Sequence, residues 1–142
     1  MKTKKKNTVF ILLEDGTRIP FDRKNKTISF TAFAVNGQIK THWIGVKLRE
    51  HPIHFGTATL TQSIECPALF EPSQRMLHEI SYTGVCEIEY LLDPRDNQYK
   101  LIEINARTWL WVDLAKKCKV NYALLIYEFV HDIPSIYPKN YT

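Results

Sequence analysis

The chain has 142 residues, of which 44% are hydrophobic and 12% aromatic, and this is enough apolar material for one sizeable core and one domain. Its formal net charge is only +4, which excludes a strongly basic or strongly acidic protein. No apolar run approaches the length of a membrane span, and Val9 to Leu13 is too short for the core of a signal peptide, so we expect a cytoplasmic protein without a membrane partner.

The positive charge is concentrated at the N-terminus, where four lysines account for all of the net charge: Lys2, Lys4, Lys5 and Lys6. The remainder of the chain has fifteen basic and fifteen acidic residues. We interpret residues 1–7 as a solvated, disordered basic arm and residues 8–142 as the single domain. Binding of nucleic acid through this arm is the weaker alternative.

The cysteines Cys66, Cys86 and Cys118 are odd in number, widely spaced, and form no Cys-x-x-Cys pair. This pattern favours reduced thiols over a disulfide framework or a zinc site.

The N-terminal half of the chain is predicted to consist of β-hairpins. Val9 to Phe21 forms a first hairpin that turns at Glu14-Asp15-Gly16. Thr27 to Val35 and Gln38 to Arg49 form a longer one, and Asn36-Gly37 between them is the strongest hairpin signal in the sequence because both residues accept a positive φ.

In the second strand of the longer hairpin, Lys47 and Arg49 share a face with Trp43. They are either ligand-binding cations or a solvated basic edge that discourages strand addition. The following residues, His51 to His54, are interpreted as a loop over the site, with Gly56 allowing close backbone approach to a ligand.

The pattern becomes helical after Leu69. Pro72 suits a first helical turn, and Met76, Leu77 and Ile80 form an apolar stripe. After Arg107 the sequence predicts two further helices. The second helix has an apolar stripe formed by Leu110, Leu114, Ala115 and Cys118. The third helix, Ala123 to Val130, is apolar on most of its circumference, so we expect it to be well buried. Ile133 to Pro138 either ends the ordered domain or packs its tyrosines as a strap.

The stretch Gly84 to Trp109 is predicted to be two antiparallel strands that turn at Asp93 to Gln98. Opposed residues in such a pair have a constant index sum, so Glu89 should face Glu103. Alternation then predicts a core face and an opposite face. The core face holds Cys86, Ile88, Tyr90, Leu92, Ile102, Ile104 and Ala106, and the opposite face holds Glu87, Glu89, Glu103, Asn105 and Arg107.

Two glutamates that face each other across a strand pair repel, so this face requires a cation. Glu89, Glu103 and Asn105 offer hard oxygen ligands, which suit Mg²⁺ or Mn²⁺ better than zinc. Arg107 could meet a phosphate or a carboxylate at the same place. The alternative is a solvated outer face without a ligand.

The run Glu-Ile-Glu-Tyr, a turn with acidic residues, and then Leu-Ile-Glu-Ile-Asn-Ala-Arg resembles the metal-binding end of the ATP-grasp superfamily, especially its carboxylate–amine ligase and carbamoyl-phosphate-synthase-like branches. The resemblance extends to Lys47–Pro52 with Gly56-Thr57, and to Ile80–Gly84. One departure is Ala106, where the family usually has proline.

The resemblance implies an α+β fold in which an antiparallel sheet has helices packed mainly on one face. It assigns Glu89, Glu103 and Asn105 to the metal, Lys47 and Arg49 to ATP phosphates, and Arg107, with Arg49, to catalysis. ATP and Mg²⁺ or Mn²⁺ would be the cofactors. The implied reaction is the ATP-dependent activation of a small-molecule carboxylate as an acyl phosphate, which an amine then captures.

The resemblance covers roughly Lys26 to Ile133, which corresponds to the C-terminal lobe alone. The N-terminal lobe of such enzymes supplies a lysine, a glycine-rich flap and an adenine hinge, whereas the five glycines here form no Gly-x-Gly. We therefore expect this lobe in the same polypeptide or in a partner chain. The alternative is a non-catalytic, ATP-grasp-derived module that acts in protein interaction.

Overall fold

A computed structural model describes residues 9–12, 16, 18–21, 26–51 and 56–139. The predicted basic arm lies outside these residues, as do most of the predicted turn at 14–16 and the loop at 52–55. Strands β1 (Val9–Leu12) and β2 (Arg18–Phe21) pair in antiparallel fashion with Val9 opposite Phe21, which confirms the first hairpin.

The main sheet has five antiparallel strands in the order β5-β4-β3-β6-β7. They are β3 (Thr27–Val35), β4 (Gln38–His51), β5 (Thr57–Ser63), β6 (Gly84–Asp93) and β7 (Gln98–Asn105). The turn between β3 and β4 has the predicted geometry, because Asn36 (φ 48°) and Gly37 (φ 75°) both lie in the left-handed region. A side chain at Gly37 would also collide with the backbone of His78, so this position requires glycine on two grounds.

Three α-helices pack on this sheet within the described residues. A 3₁₀-helix at Pro67–Leu69 leads into α1 (Phe70–Glu79), and α2 (Val112–Lys117) and α3 (Tyr122–Val130) follow the last strand. The predicted α+β class with an antiparallel sheet is confirmed. Two of these helices share one face and α1 covers the other. None of the helices in the described part of the chain has the length and apolar character needed to cross a membrane.

The core on the α1 face consists of alternate residues of the central strands together with the helix. Its buried members are Phe30, Ala32, Ala34, Ile44, Cys66, Leu69, Leu77, Cys86, Ile88 and Tyr90. Cys86 and Ile88 are fully buried, as the hairpin parity predicts. Ile80 was predicted to join Leu77 on the buried stripe, and this is wrong: Ile80 follows the last helical residue and is 60% exposed.

The core on the opposite face is aromatic and continues into the functional surface. Its buried members are Phe33, Trp43, Val85, Trp109, Ala115, Cys118, Val120, Tyr122 and Leu125. The strap alternative for the C-terminal residues is confirmed, because Tyr137 stacks on Phe33 and Thr41 Oγ1 donates to the Pro138 carbonyl at 2.6 Å.

Burial of the third helix is only partial, which corrects the prediction. In α3, Tyr122 and Leu125 are buried, but Leu124, Tyr127 and Val130 are about half exposed or more. Only one face of this helix meets the sheet, and its apolar composition extends beyond that face. The predicted apolar stripe of the preceding helix is also too long, because Leu110 lies before α2 and is 79% exposed.

Candidate active site

The hairpin formed by β6 and β7 places the predicted site residues on one surface. Glu89 lies opposite Glu103 and Glu87 lies opposite Asn105, as the index sum predicts. On the other side of β6, strand β3 sets Ser29 opposite Glu89. The acidic residues therefore lie on the last two strands of a five-stranded sheet rather than on an isolated hairpin.

A bulge in β7 changes the predicted alternation. Glu89 pairs with Glu103, but Tyr90 pairs with Leu101, so Ile102 is an extra residue on β7. Ile102 consequently lines the same cavity as Glu103 instead of entering the core. Ile104 was also predicted in the core, yet it is 38% exposed. Because β7 is an edge strand, none of the other described strands covers that side of Ile104.

A cavity of about 280 Å³ opens over this surface. Its walls have three chemical characters: acidic, basic and apolar. The acidic wall with its amide comprises Glu50, Glu87, Glu89, Glu103 and Asn105, the basic wall Lys47 and Arg107, and the apolar wall Leu91, Ile102, Trp109, Leu110 and Trp111. Gly56 also borders the cavity, whereas the loop predicted before it lies outside the described residues.

The centre of the site is an ion pair between two side chains that are 42 residues apart in the sequence. Lys47 Nζ donates to Glu89 Oε1 at 2.5 Å, and the two side chains are only 11% and 10% exposed. Burial raises the pKa of Glu89, whereas the Lys47 ammonium opposes that rise. A cation at this carboxylate was expected from the sequence, and in the structure Lys47 supplies it.

Asn105 links the remaining groups. Its Nδ2 donates to Glu103 Oε1 at 2.8 Å and, with a longer contact of 3.4 Å, to Glu87 Oε2. Its Oδ1 accepts from Arg107 Nη2 at 3.3 Å. Arg107 is exposed, so its guanidinium can turn to a ligand in the cavity at little cost.

Glu87 has a larger place in the site than the sequence indicated. It is 3% exposed, and its Oε1 has no hydrogen-bond partner among the described residues. Burial raises the pKa of Glu87, and the charge of Glu89 raises it further. Alternation placed this residue on the correct face, but alternation does not predict that the residue is buried.

Arg49 stands apart from the other predicted residues. The pairing of β4 with β5 shifts on both sides of Arg49, which breaks the alternation that would set it beside Lys47. Its side chain is exposed and its Nε donates to Thr59 Oγ1 at 3.2 Å. Arg49 is not among the described residues that line the cavity.

The apolar wall was not anticipated from the sequence. Trp111 meets Trp43 and Trp109 edge to face, at ring-centroid distances of 5.4 and 6.2 Å. Gly45 makes this arrangement possible, because a Cβ there would lie only 2.5 Å from Cζ3 of Trp111. The signal available in the sequence was the pair of tryptophans directly after the Glu103–Arg107 run.

The oxygen donors fit a hard divalent cation whose coordination shell is completed by a bound ligand. Among the described residues, no three His, Cys, Asp or Glu side chains converge to hold a metal by themselves. The surface instead offers two opposed carboxylates and an amide, beside a buried Glu87 oxygen without a partner. Mg²⁺ is commonly held in this way, by one or two carboxylates together with substrate phosphates and water.

These features define a class of protein: an antiparallel sheet that presents opposed carboxylates, an amide and two basic side chains over one cavity. A family model described as carbamoyl-phosphate synthase L chain, ATP binding domain, matches residues 52–123, which is half of the chain. The chain belongs to this family, and thereby to the ATP-grasp superfamily.

Two further comparisons relate the chain to longer proteins. It is 29% identical over 91 residues to a D-aspartate ligase of Enterococcus faecium (strain Aus0004), a match that covers 63% of this chain and 22% of that protein. The structure of a complete multifunctional pyruvate carboxylase from Rhizobium etli aligns with 78% of this chain and 11% of its own, at 14% identity and a TM-score of 0.37. The chain thus spans about a fifth of the length of the curated relative.

Proposed function

We propose that this chain is the C-terminal lobe of a cytoplasmic ATP-grasp ligase that joins a carboxylate to an amine. The observation that carries the proposal is the convergence of Glu89, Glu103 and Asn105 with Lys47 and Arg107 around one cavity. Carboxylates that accept a divalent cation and cations that accept phosphate are the two requirements of phosphoryl transfer from ATP.

Each group has a definite task in this reaction. Glu89, Glu103 and Asn105 would hold Mg²⁺ or Mn²⁺, which neutralises phosphate charge and orients the nucleotide. Lys47 binds the phosphates, and Arg107 stabilises the charge on the transferring phosphoryl group. Arg49 keeps its proposed role as an outer phosphate contact, which requires its exposed side chain to turn toward the site.

The proposed reaction proceeds in two steps. A carboxylate oxygen of the substrate attacks the γ-phosphorus of ATP, ADP leaves, and an acyl phosphate forms. The amine then attacks the acyl carbon, and inorganic phosphate leaves. The apolar wall around Trp111 limits access of water, which would otherwise hydrolyse the acyl phosphate.

A second lobe completes the nucleotide site in this proposal. The matched ligase is about five times longer than the part that this chain covers. A lobe in the same polypeptide or in a partner chain would supply the flap over the phosphates and the adenine hinge. The name of the relative, D-aspartate ligase, suggests an amino acid as one of the small-molecule substrates.

The test is nucleotide-dependent ligation by the complete two-lobed enzyme. We expect Glu103→Gln and Asn105→Ala each to reduce kcat by about 100-fold or more, because each removes a ligand of the cation that neutralises phosphate charge. Glu79→Gln is the matched control, since Glu79 is exposed at the end of α1, on the opposite face of the sheet. Glu87 shares the carboxylate face but is unsuitable as a control because it is buried and contacts Asn105.

The outcomes separate the ligase from its alternative. Full activity in Glu103→Gln would refute the site. A complete two-lobed protein that lacks nucleotide-dependent ligation altogether would favour a non-catalytic interaction module, for which the half-exposed apolar residues of α3 are the supporting observation. In either case this chain alone should bind ATP more weakly than micromolar, because a one-sided site leaves the adenine without contacts.

A further inference from the structure

Three of the atoms that would bind a metal are engaged within the protein. Glu89 Oε1 accepts from Lys47 Nζ, Glu103 Oε1 accepts from Asn105 Nδ2, and Asn105 Oδ1 accepts from Arg107 Nη2. The two basic members of this network, Lys47 and Arg107, are also the groups suited to bind phosphate. The same side chains therefore have two competing sets of partners.

Of these three contacts, the one between Lys47 and Glu89 restricts metal binding most. Both side chains are about nine-tenths buried, so neither charge can be left without a partner except at a high cost. Lys47 lies on β4 and Glu89 on β6, with β3 between them, so the pair forms across the sheet, and its geometry is set by the register of three strands. A cation that binds Glu89 Oε1 must replace Lys47, and Lys47 must then find another anion.

We propose that Lys47 is an internal counter-ion that holds Glu89 in the absence of metal and transfers to a phosphate group when a divalent cation takes its place. This inference rests on the proposed function. It makes the binding of metal and of polyphosphate cooperative, because each ligand supplies the partner that the other displaces. By linkage, the factor by which phosphate improves metal binding equals the factor by which metal improves phosphate binding.

A direct consequence concerns the metal alone. In the wild-type chain a divalent cation must compete with the Lys47 ammonium, so its affinity in the absence of phosphate should be low. Replacing Lys47 with glutamine removes the competitor and leaves Glu89 beside Glu103 without a cation. The variant should therefore bind the metal alone more tightly and depend on it for stability.

The experiment uses Mn²⁺ as the probe and the 142-residue chain in four forms: wild type, Lys47→Gln, Lys47→Gln with Glu89→Gln, and Lys100→Gln. Lys100 forms an ion pair with Asp96 at 2.6 Å in the turn of the hairpin, outside the residues that line the cavity, and is the matched control. Water proton relaxation reports Mn²⁺ binding, and thermal unfolding with and without Mn²⁺ reports stability.

We expect Lys47→Gln to bind Mn²⁺ at least about tenfold more tightly than the wild type, which corresponds to the lower range of coupling between linked sites. Its Tm should fall by about 10 °C without metal, because one buried charge has lost its partner, and should recover substantially with Mn²⁺. The double variant should lose this gain in affinity, and Lys100→Gln should behave as the wild type.

The results distinguish this inference from the proposed function. Equal Mn²⁺ binding by the wild type and Lys47→Gln would overturn the exchange while leaving the metal site intact. Absence of Mn²⁺ binding by Lys47→Gln at millimolar Mn²⁺ would also overturn the exchange. The proposed function is refuted separately, by full ligation activity of Glu103→Gln in the complete two-lobed enzyme. If Lys47→Gln does not fold without metal, its folding on addition of Mn²⁺ supports the exchange, and a failure to fold with Mn²⁺ refutes it.

Discussion

Gly45 controls the apolar wall of the site, and Gly45→Ala is the sharpest test of that packing. A Cβ at this position would lie 2.5 Å from Trp111 Cζ3 and closer still to the Trp43 ring. Gly45 does not have a positive φ, so its backbone accepts alanine without strain. The effect of the substitution must therefore arise from the rings, of which Trp43 is fully buried and cannot move away.

The expected magnitude follows from two opposing effects. Overpacking by one methyl group costs about 1–3 kcal/mol in a filled core. The lower conformational entropy of the unfolded alanine chain returns about 0.4–1 kcal/mol. The net loss in the free energy of unfolding is about 1–2 kcal/mol, which lowers Tm by roughly 3–8 °C for a chain of this size.

Urea unfolding and near-ultraviolet circular dichroism measure the stability and the aromatic packing, respectively. We expect Gly45→Ala to lose stability and to change the aromatic signal, because Trp111 must tilt away from the sheet. Gly45→Ala is also made in a Trp111→Leu variant. There the substitution should lower the free energy of unfolding by at least about 0.5 kcal/mol less than it does in the wild type. An equal cost of Gly45→Ala in both backgrounds would refute the role of Trp111.

Two further predictions follow from the fold. Gly37→Ala should lower the free energy of unfolding by about 2–4 kcal/mol, since it combines a positive φ with a collision against the His78 backbone, and Asn36→Gly at the neighbouring turn position should be nearly neutral in the same urea titration. Cys86 is fully buried and burial raises its pKa to about 12, so at pH 8 a thiol reagent should modify it only through unfolding, and peptide mapping that finds rapid modification of Cys86 in the native protein would contradict this packing.

Local sequence patterns were sufficient for the hairpins and for the shared face of the site. The positive φ accepted by Asn36 and Gly37 predicted the turn between β3 and β4. The two-residue period of a strand placed Glu89 opposite Glu103, because alternation and index sums depend only on neighbouring residues in the chain. For the same reason Asn105 and Arg107 could be assigned to the carboxylate surface before any long-range contact was known.

Irregularities within strands limited this reasoning. One extra residue in β7 moved Ile102 from the core to the cavity, and shifts around Arg49 separated it from Lys47. Beyond a bulge, residues lie on the opposite face from the one that simple alternation predicts. No residue type in these segments indicates a bulge. The edge position of β7, which exposes Ile104, depends in turn on which strands the sheet contains.

The ion pairing and the burial of the site residues were decided by the tertiary structure alone. The sequence determined which side chains share a face, because that depends on the geometry of one strand. It could not determine that β3 brings β4 and β6 together, so that Lys47 reaches Glu89, or that Glu87 is buried. Ion pairing and burial depend on distances between segments far apart in the chain, and only the packed sheet sets those distances.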